Sequence, residues 1–484
     1  MVFNSLIFLG FFVSFFFAYW LLLGKSLKLQ NLLLLLGSYV FYSFANWRLL
    51  FILIAISAFN YLLGILIEKV AGQRTKKLLL LAGLVQGIGG LLYFKYFNFF
   101  IDAFKDAFGL LHININLHSL NIIVPLGISF FTFRTISYLL DVYNEKINAV
   151  KDPVVFFTYV SFFPSLLSGP IDKAVKFVPQ LETKRSFNYL QVTTGLRQVL
   201  WGLFKKVVIA DNCGVFTNPV FENFQQLPAS SLLLGLFLYT IQVYADFSGY
   251  SDMAIGFARL LGFNITRNFD YPFFAQNIAQ FWRKWHISLT SWFTEYVFTP
   301  LSIAFRDLGQ AGLILAILIN LTIVGMWHGA NWTYLLFGLI HGILFIPLIL
   351  KGTMNKQKKL TPGKIFPSFR EFVNIAGTFF TVMLTIILFR CDNISQAFQF
   401  FTGLFSFSIF TYPVIPVAST GLLLTVILVM LMLVIEWLGR DTEFALLRLG
   451  YKWPVVARWA MYYLMIIAIF YFSGKEQQFI YFKF

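Results

Sequence analysis

Charge is what this sequence has least of. Only 12% of its 484 residues are Asp, Glu, Lys or Arg, against roughly 25% in an ordinary soluble domain. A water-soluble globule of this length could not cover its surface with so few charges, so lipid has to replace water around much of it. Acid is scarcer than base, 21 Asp and Glu against 37 Lys and Arg, which leaves a net charge of +16. Cysteine is almost missing: Cys213 and Cys391 stand far apart without C-x-x-C spacing, so neither a disulfide framework nor a zinc knuckle is encoded. No H-E-x-x-H or comparable ligand set occurs, and no metal site is expected. The sequence also lacks a P-loop, a G-x-S-x-G elbow and a Rossmann fingerprint, which removes support for nucleotide hydrolysis and serine-triad chemistry. No internal repeat is visible, which weighs against transporters built from paired repeats.

What is present is apolar and aromatic. Hydrophobic residues make up 58% and aromatics 19%, with 61 Phe, 22 Tyr and 11 Trp. Mean hydropathy is +0.75. Apolar runs long enough for a hydrocarbon core of ~30 Å lie near residues 5–24, 29–45, 49–67, 78–97, 121–143, 190–212, 231–261, 312–327, 332–350, 371–389, 418–438 and 458–473. Outer-membrane barrels alternate apolar and polar residues instead. The expectation is an all-α polytopic integral membrane protein with eleven to thirteen spans, forming one membrane domain over residues 1–484. Its basic residues cluster between runs, at Lys69, Arg74, Lys76 and Lys77 and again at Lys351, Lys356, Lys358, Lys359, Lys364 and Arg370. That is loop punctuation under the positive-inside rule, and it argues against nucleic-acid binding. Lys25 and Lys28 follow the first run, so the N-terminus is expected outside, the loop at 68–77 in the cytoplasm, and the stretch 98–120 with His112 and His118 outside. Two segments suit a simple span poorly: residues 162–181, broken by Pro164, Gly169, Pro170 and Pro179, and the aromatic, charged stretch FDYPFFAQNIAQFWRKWHISLTSWF. Broken backbone at membrane depth needs protein or a water-filled cavity around it, so both are expected as re-entrant or interfacial elements around a central cavity.

Candidate chemistry is confined to a few side chains. His328 lies in VGMWHGANW, where Gly329 leaves room beside the imidazole and Asn331 could orient a ring nitrogen or polarise a carbonyl. A neutral imidazole in an apolar pocket can act as a base, although a packed histidine satisfied by a carbonyl fits equally well. His286 belongs to FWRKWHISLTSWF, whose Trp282, Trp285 and Trp292 recur at helical spacing. There Arg283 and His286 would share a neighbouring helix face, with an aromatic belt and snorkelling bases as the plainer reading. His341 is thirteen residues beyond His328, which on one continuous helix would separate them by ~20 Å, so it reads as structural. YADFSGYSDMAIG places Asp246 and Tyr250 on one helix face, with Gly249 permitting close approach. Structural, site-lining and ion-coupling roles all remain open for that carboxylate.

Three of these stretches coincide. FWRKWHISLTSW followed by MWHGANWTYLLFGLIHG resembles the two-histidine signature of the membrane-bound O-acyltransferases. DFSGYSDMAIG, PLGISFFTFRTISYLLDVY and the ending QFIYFKF are similar to the bacterial alginate O-acetyltransferase branch of that family. The resemblance implies a helical fold around a central funnel or tunnel, with His328 catalytic and His286 lining the same passage. It implies transfer of an acyl group, most simply acetyl, from a cytoplasmic thioester such as acetyl-CoA to an acceptor on the other side of a bacterial inner membrane. An SGNH-type acyltransferase, periplasmic or membrane-anchored, would then pass acetyl to a polysaccharide of alginate, peptidoglycan or cellulose type. Arg283 and Lys284 would hold the phosphates of coenzyme A, with Trp285, Asp246, Tyr250 and Asn331 lining the substrate path; no permanently bound cofactor is implied. The family pattern is departed from at Arg134, Ser168 and Lys483. Two rivals stay open at this point: D-alanyl transfer to teichoic acid from a carrier-protein thioester, and a non-enzymatic exporter of polysaccharide or lipid-linked sugar.

Overall fold

A computed structural model describes residues 1–24, 26–113, 117–356, 365–417, 421–474 and 477–480, and the regular elements among them are helices, with no strand. Lys25, Lys358, Lys359, Lys364, Lys483 and the last four residues of QFIYFKF lie outside the described residues. Seven of the described helices are long and apolar enough to cross a membrane, and Leu6–Leu22 and Leu422–Leu438 are shorter apolar helices. The chain forms two compact units, residues 1–196 with 254–266, and residues 197–253 with 267–484.

In the first unit, the runs at 29–45 and 49–67 are two helices within Leu27–Lys69, joined by a kink at Asn46. Asn46 leaves helical geometry at φ −165° and its side chain accepts from the Arg48 amide at 3.0 Å, restarting the helix in the manner of an N-cap. The Pro- and Gly-broken stretch that follows Ser161 is buried from Phe162 to Asp172. Carbonyls of this stretch and of the end of the helix before it, Pro153–Ser161, find their donor in Arg134, which lies on the helix Ile128–Tyr143 and is 1% exposed. The guanidinium donates to the carbonyls of Tyr159, Val160, Ser165 and Pro170 at 3.1–3.3 Å and to Ser165 Oγ at 2.5 Å. A broken backbone buried away from water needs such partners, because each unmet carbonyl would cost free energy comparable to a lost hydrogen bond. Arg134 thus holds the irregular segment together, which accounts for a cation in an apolar helix. Asp172 closes the same segment by accepting from the Thr266 amide at 2.8 Å and its hydroxyl at 2.7 Å.

In the second unit, the run at 190–212 contains a π-helical stretch, Phe204–Ala210, with Lys205 and Lys206 both buried. As neighbours in sequence they point apart: Lys205 pairs with Asp252 at 2.6 Å, and Lys206 with Asp211 at 2.7 Å and Asp246 at 2.8 Å. Gly249 bears out the expected close approach, since a Cβ there would press on the Gly202 carbonyl and the Lys206 amide. The helix Gly309–His328 ends where Gly329 becomes extended, and Asn331 caps the next helix, Trp332–Leu350. A capping box of Ser368 and Glu371 starts the helix Phe369–Thr385.

Candidate active site

The two signature histidines meet at one indole. His328 is the last residue of its helix and 2% exposed, and its ring centre lies 4.9 Å from that of Trp327. His286 is fully buried, 5.7 Å from the same indole, and stacks on Phe247 at 4.7 Å. Two imidazoles flanking one tryptophan can be no further apart than those two distances combined. Phe389, edge-on at 4.9 Å, and Phe337 at 6.3 Å also pack on His328.

His286 is held by backbone geometry. It adopts φ 42° and ψ 54°, a left-handed conformation that costs a non-glycine residue ~1–3 kcal/mol and that tends to occur at functional sites. Asn268 imposes it: its carbonyl accepts from the Ile287 amide at 2.8 Å, and its side chain accepts from Ser288 Oγ at 2.6 Å and donates to Ser251 Oγ at 3.1 Å. Burial pushes the His286 imidazole down to about 3, so the ring is neutral at physiological pH.

This turn overturns the single amphipathic helix expected from FWRKWHISLTSWF. The segment is two short helices, Ile278–Lys284 and Ile287–Phe293, separated by extended Trp285 and left-handed His286. Arg283 and His286 therefore share no helix face. Arg283 donates to the Met354 carbonyl at 2.5 Å and to Asn355 Oδ1 at 3.4 Å, at the start of the basic loop. Lys284 pairs with Asp270, 3.3 Å to the carboxylate and 3.0 Å to the carbonyl, and Trp285 is buried between Phe269 and Phe281. The conditional distance between His328 and His341 also fails, because the chain reverses at 329–331 and Phe337 touches both rings, at 6.3 and 4.3 Å.

Beside His328 the room at Gly329 is filled by the Tyr334 ring, which a Cβ on Gly329 would strike. Asn331 uses both ends of its amide, accepting from the Thr333 amide at 3.0 Å and donating to the Asp392 carbonyl at 2.7 Å, so in this structure it shapes the turn and does not orient an imidazole. Behind Phe389 and Tyr334 lies a polar cavity of about 300 Å³, lined also by Asn218, Gln242, Asn331, Arg390, Asp392 and the C-terminal residues Gln477 and Gln478. Asp246 pairs with Lys206 and accepts from the Ile480 amide at 2.7 Å, and Tyr250 stacks on Phe479 at 4.9 Å. Sequence reading missed Lys206, Asp211 and Asn268. For the first of these a signal existed, since a Lys-Lys pair inside an apolar run is costly enough to be read as functional. No group of three or more His, Cys, Asp and Glu fit to hold a metal occurs among the described residues.

Two buried imidazoles share one indole in an apolar helical protein, and Phe389 both packs on His328 and lines the polar cavity. Comparison with known proteins assigns its chemistry: the profile of the membrane-bound O-acyltransferase family matches residues 126–364, a range that contains His286 and His328. The chain is 34% identical to the probable alginate O-acetylase AlgI of Pseudomonas aeruginosa over 84% of this chain and 75% of that protein. It is 33% identical to the peptidoglycan O-acetyltransferase of Helicobacter pylori, over 73% of this chain and 69% of that protein. It is 30% identical to the teichoic acid D-alanyltransferase of Streptococcus thermophilus, over 54% of this chain and 68% of that one. The chain belongs to the membrane-bound O-acyltransferase family and is an O-acyltransferase.

Proposed function

We propose that the chain moves acetyl from cytoplasmic acetyl-CoA through a bacterial inner membrane to an extracytoplasmic acceptor, for O-acetylation of a cell-envelope or secreted polysaccharide. The observation that carries this reading is the position of His328 at a helix end, buried among Trp327, Phe337 and Phe389, the last of which also lines the polar cavity. In the reaction His328 takes the proton of an acceptor hydroxyl as the oxygen attacks the thioester carbonyl. The new C–O bond forms, the C–S bond breaks, and the proton returns to the coenzyme A thiolate. His286, packed on the same Trp327, lines the same passage, its neutral ring suited to orient and not to carry charge. Arg283 and Lys284 serve the phosphates of the donor. Their support is the contact of Arg283 with Met354 and Asn355, which ties it to the edge of the basic, cytoplasmic loop. Asp246, Tyr250, Trp285 and Asn331 shape the substrate path through the groups they hold.

The proposal includes a funnel or tunnel through one membrane domain over residues 1–484, eleven to thirteen spans, and an N-terminus outside. The acceptor is a partner protein, an SGNH-type acyltransferase. A hydrated glycan would have to lose its water to enter so apolar a site, and that is expensive for polar groups. Family membership sets the non-enzymatic exporter aside. D-alanyl transfer remains the second reading, favoured by the teichoic acid D-alanyltransferase match though over a smaller share of the chain. Purified chain in vesicles, with labelled acetyl-CoA inside and polysaccharide outside, tests the proposal: label should reach polymer only when the partner is added. Efficient transfer to polymer without it, or transfer from a D-alanyl carrier protein in place of acetyl-CoA, contradicts it.

A further inference from the structure

We propose that Lys206, Asp211 and Asp246 form a buried clamp that fixes the C-terminal segment 477–480 as a wall of the polar cavity, and that they are positioning residues for acyl transfer. This rests on the reading of that cavity as part of the transfer site. All three side chains are at least nine-tenths buried. Burying an ammonium and two carboxylates in apolar surroundings costs several kcal/mol per ion unless geometry and further hydrogen bonds offset it.

Here the further hydrogen bonds converge on the main chain of one segment. The Lys206 ammonium, besides its two carboxylates, donates to the Gln477 carbonyl at 3.0 Å. Asp211 accepts from the Gln477 amide at 3.4 Å, and Asp246 accepts from the Ile480 amide at 2.7 Å. Each end of the four-residue segment is thus held by a charged group, and hydrogen bonds to charged groups are worth roughly 1.5–3 kcal/mol. Side chains complete the seat: Asn218 donates to Gln477 Oε1 at 3.1 Å, and Phe479 stacks on Tyr250 and lies 6.3 Å from Phe247, the ring on which His286 stacks. The grip on main-chain atoms explains why charges are used where apolar residues would pack as well. The clamp fixes the path of the backbone, and with it the cavity wall that Gln477 and Gln478 supply.

The test is hydrogen–deuterium exchange of the purified full chain, followed in the peptide covering residues 473–484. Asp246→Asn weakens the clamp, and Ile480→Pro removes one clamped N–H while leaving all three charged side chains intact; Ile480→Ala keeps that N–H. Tail exchange should quicken on the order of tenfold or more in Asp246→Asn and Ile480→Pro, matching loss of a bond to a charged group. It should stay near wild type in Ile480→Ala, with the helices 309–328 and 332–350 equally protected throughout. Acyl transfer should fall on the order of tenfold further in Ile480→Pro than in Ile480→Ala, which shortens the same cavity-lining side chain but keeps the clamped N–H. Unchanged tail protection in Ile480→Pro, or equal transfer by the Pro and Ala variants, overturns the proposal. Exchange needs neither donor nor acceptor, so a wrong acyl-transfer reading would leave the exchange results standing.

Discussion

The indole N–H of Trp282 donates to Nδ1 of His341 at 3.1 Å. An indole can only donate, so Nδ1 is the acceptor and the ring proton sits on Nε2. Nε2 lies 3.0 Å from Thr385 Oγ1, whose own proton goes to the Val382 carbonyl at 2.7 Å. Both nitrogens of His341 are engaged in joining helices, which separates it from the chemistry at His328. His341→Ala should therefore lower thermal stability, by about 1–3 kcal/mol for the buried donor left unmet. Turnover per folded molecule should stay within about threefold of wild type, since lost packing there touches no reacting atom. Thermal unfolding in detergent, run beside activity on the same preparation, checks both parts; a large loss of turnover at unchanged stability would contradict the assignment.

Arg134→Met keeps much of the side-chain volume but leaves the carbonyls of Tyr159, Val160, Ser165 and Pro170 without their donor. The expected cost is about 3 kcal/mol or more, enough to prevent accumulation of folded chain in the membrane. Quantifying membrane-inserted, monodisperse protein tests this. Wild-type yield and melting temperature would mean that the broken segment is held by something else.

His286 predicts a pH dependence of stability. Its folded value is depressed to about 3 from an ordinary value near 6.5, so stability is fully present above ~6.5 and falls as pH drops toward 3, because the unfolded chain takes up a proton that the folded chain refuses. Melting temperatures measured from pH 7.5 to 4.5 should fall more steeply in wild type than in His286→Gln. Parallel slopes would show that the buried ring is not the cause.

How far all this can be read from sequence differs residue by residue. The end of the His328 helix is legible, because Gly329 and Asn331 are a stop and a start two positions apart. The turn at His286 is not, since tryptophans at helical spacing describe one helix and the left-handed break comes from Asn268, which is distant in sequence. Asp246 can be recognised as unusual in an apolar run, yet its partners Lys206 and Ile480 are set by tertiary packing. Arg134 looks anomalous until the folded path of residues 159–170 puts four carbonyls around it.

Sidedness gives a further expectation, since the basic loop 351–370 should be cytoplasmic and the stretch 98–120 outside. Lys356 and His118 are both exposed, so cysteines placed there singly should report faithfully. An impermeant thiol reagent on intact cells should label position 118 and spare position 356. Labelling at 356 would reverse the topology.

The central claim is that His328 is the base. Its most direct test is the rate of acyl transfer by purified His328→Ala chain, shown by its melting curve to be folded and supplied with labelled acetyl-CoA and the partner acceptor. Without a base the hydroxyl stays unactivated, and the rate should drop by roughly 10² to 10⁴. A folded His328→Ala enzyme turning over at the wild-type rate would contradict the account.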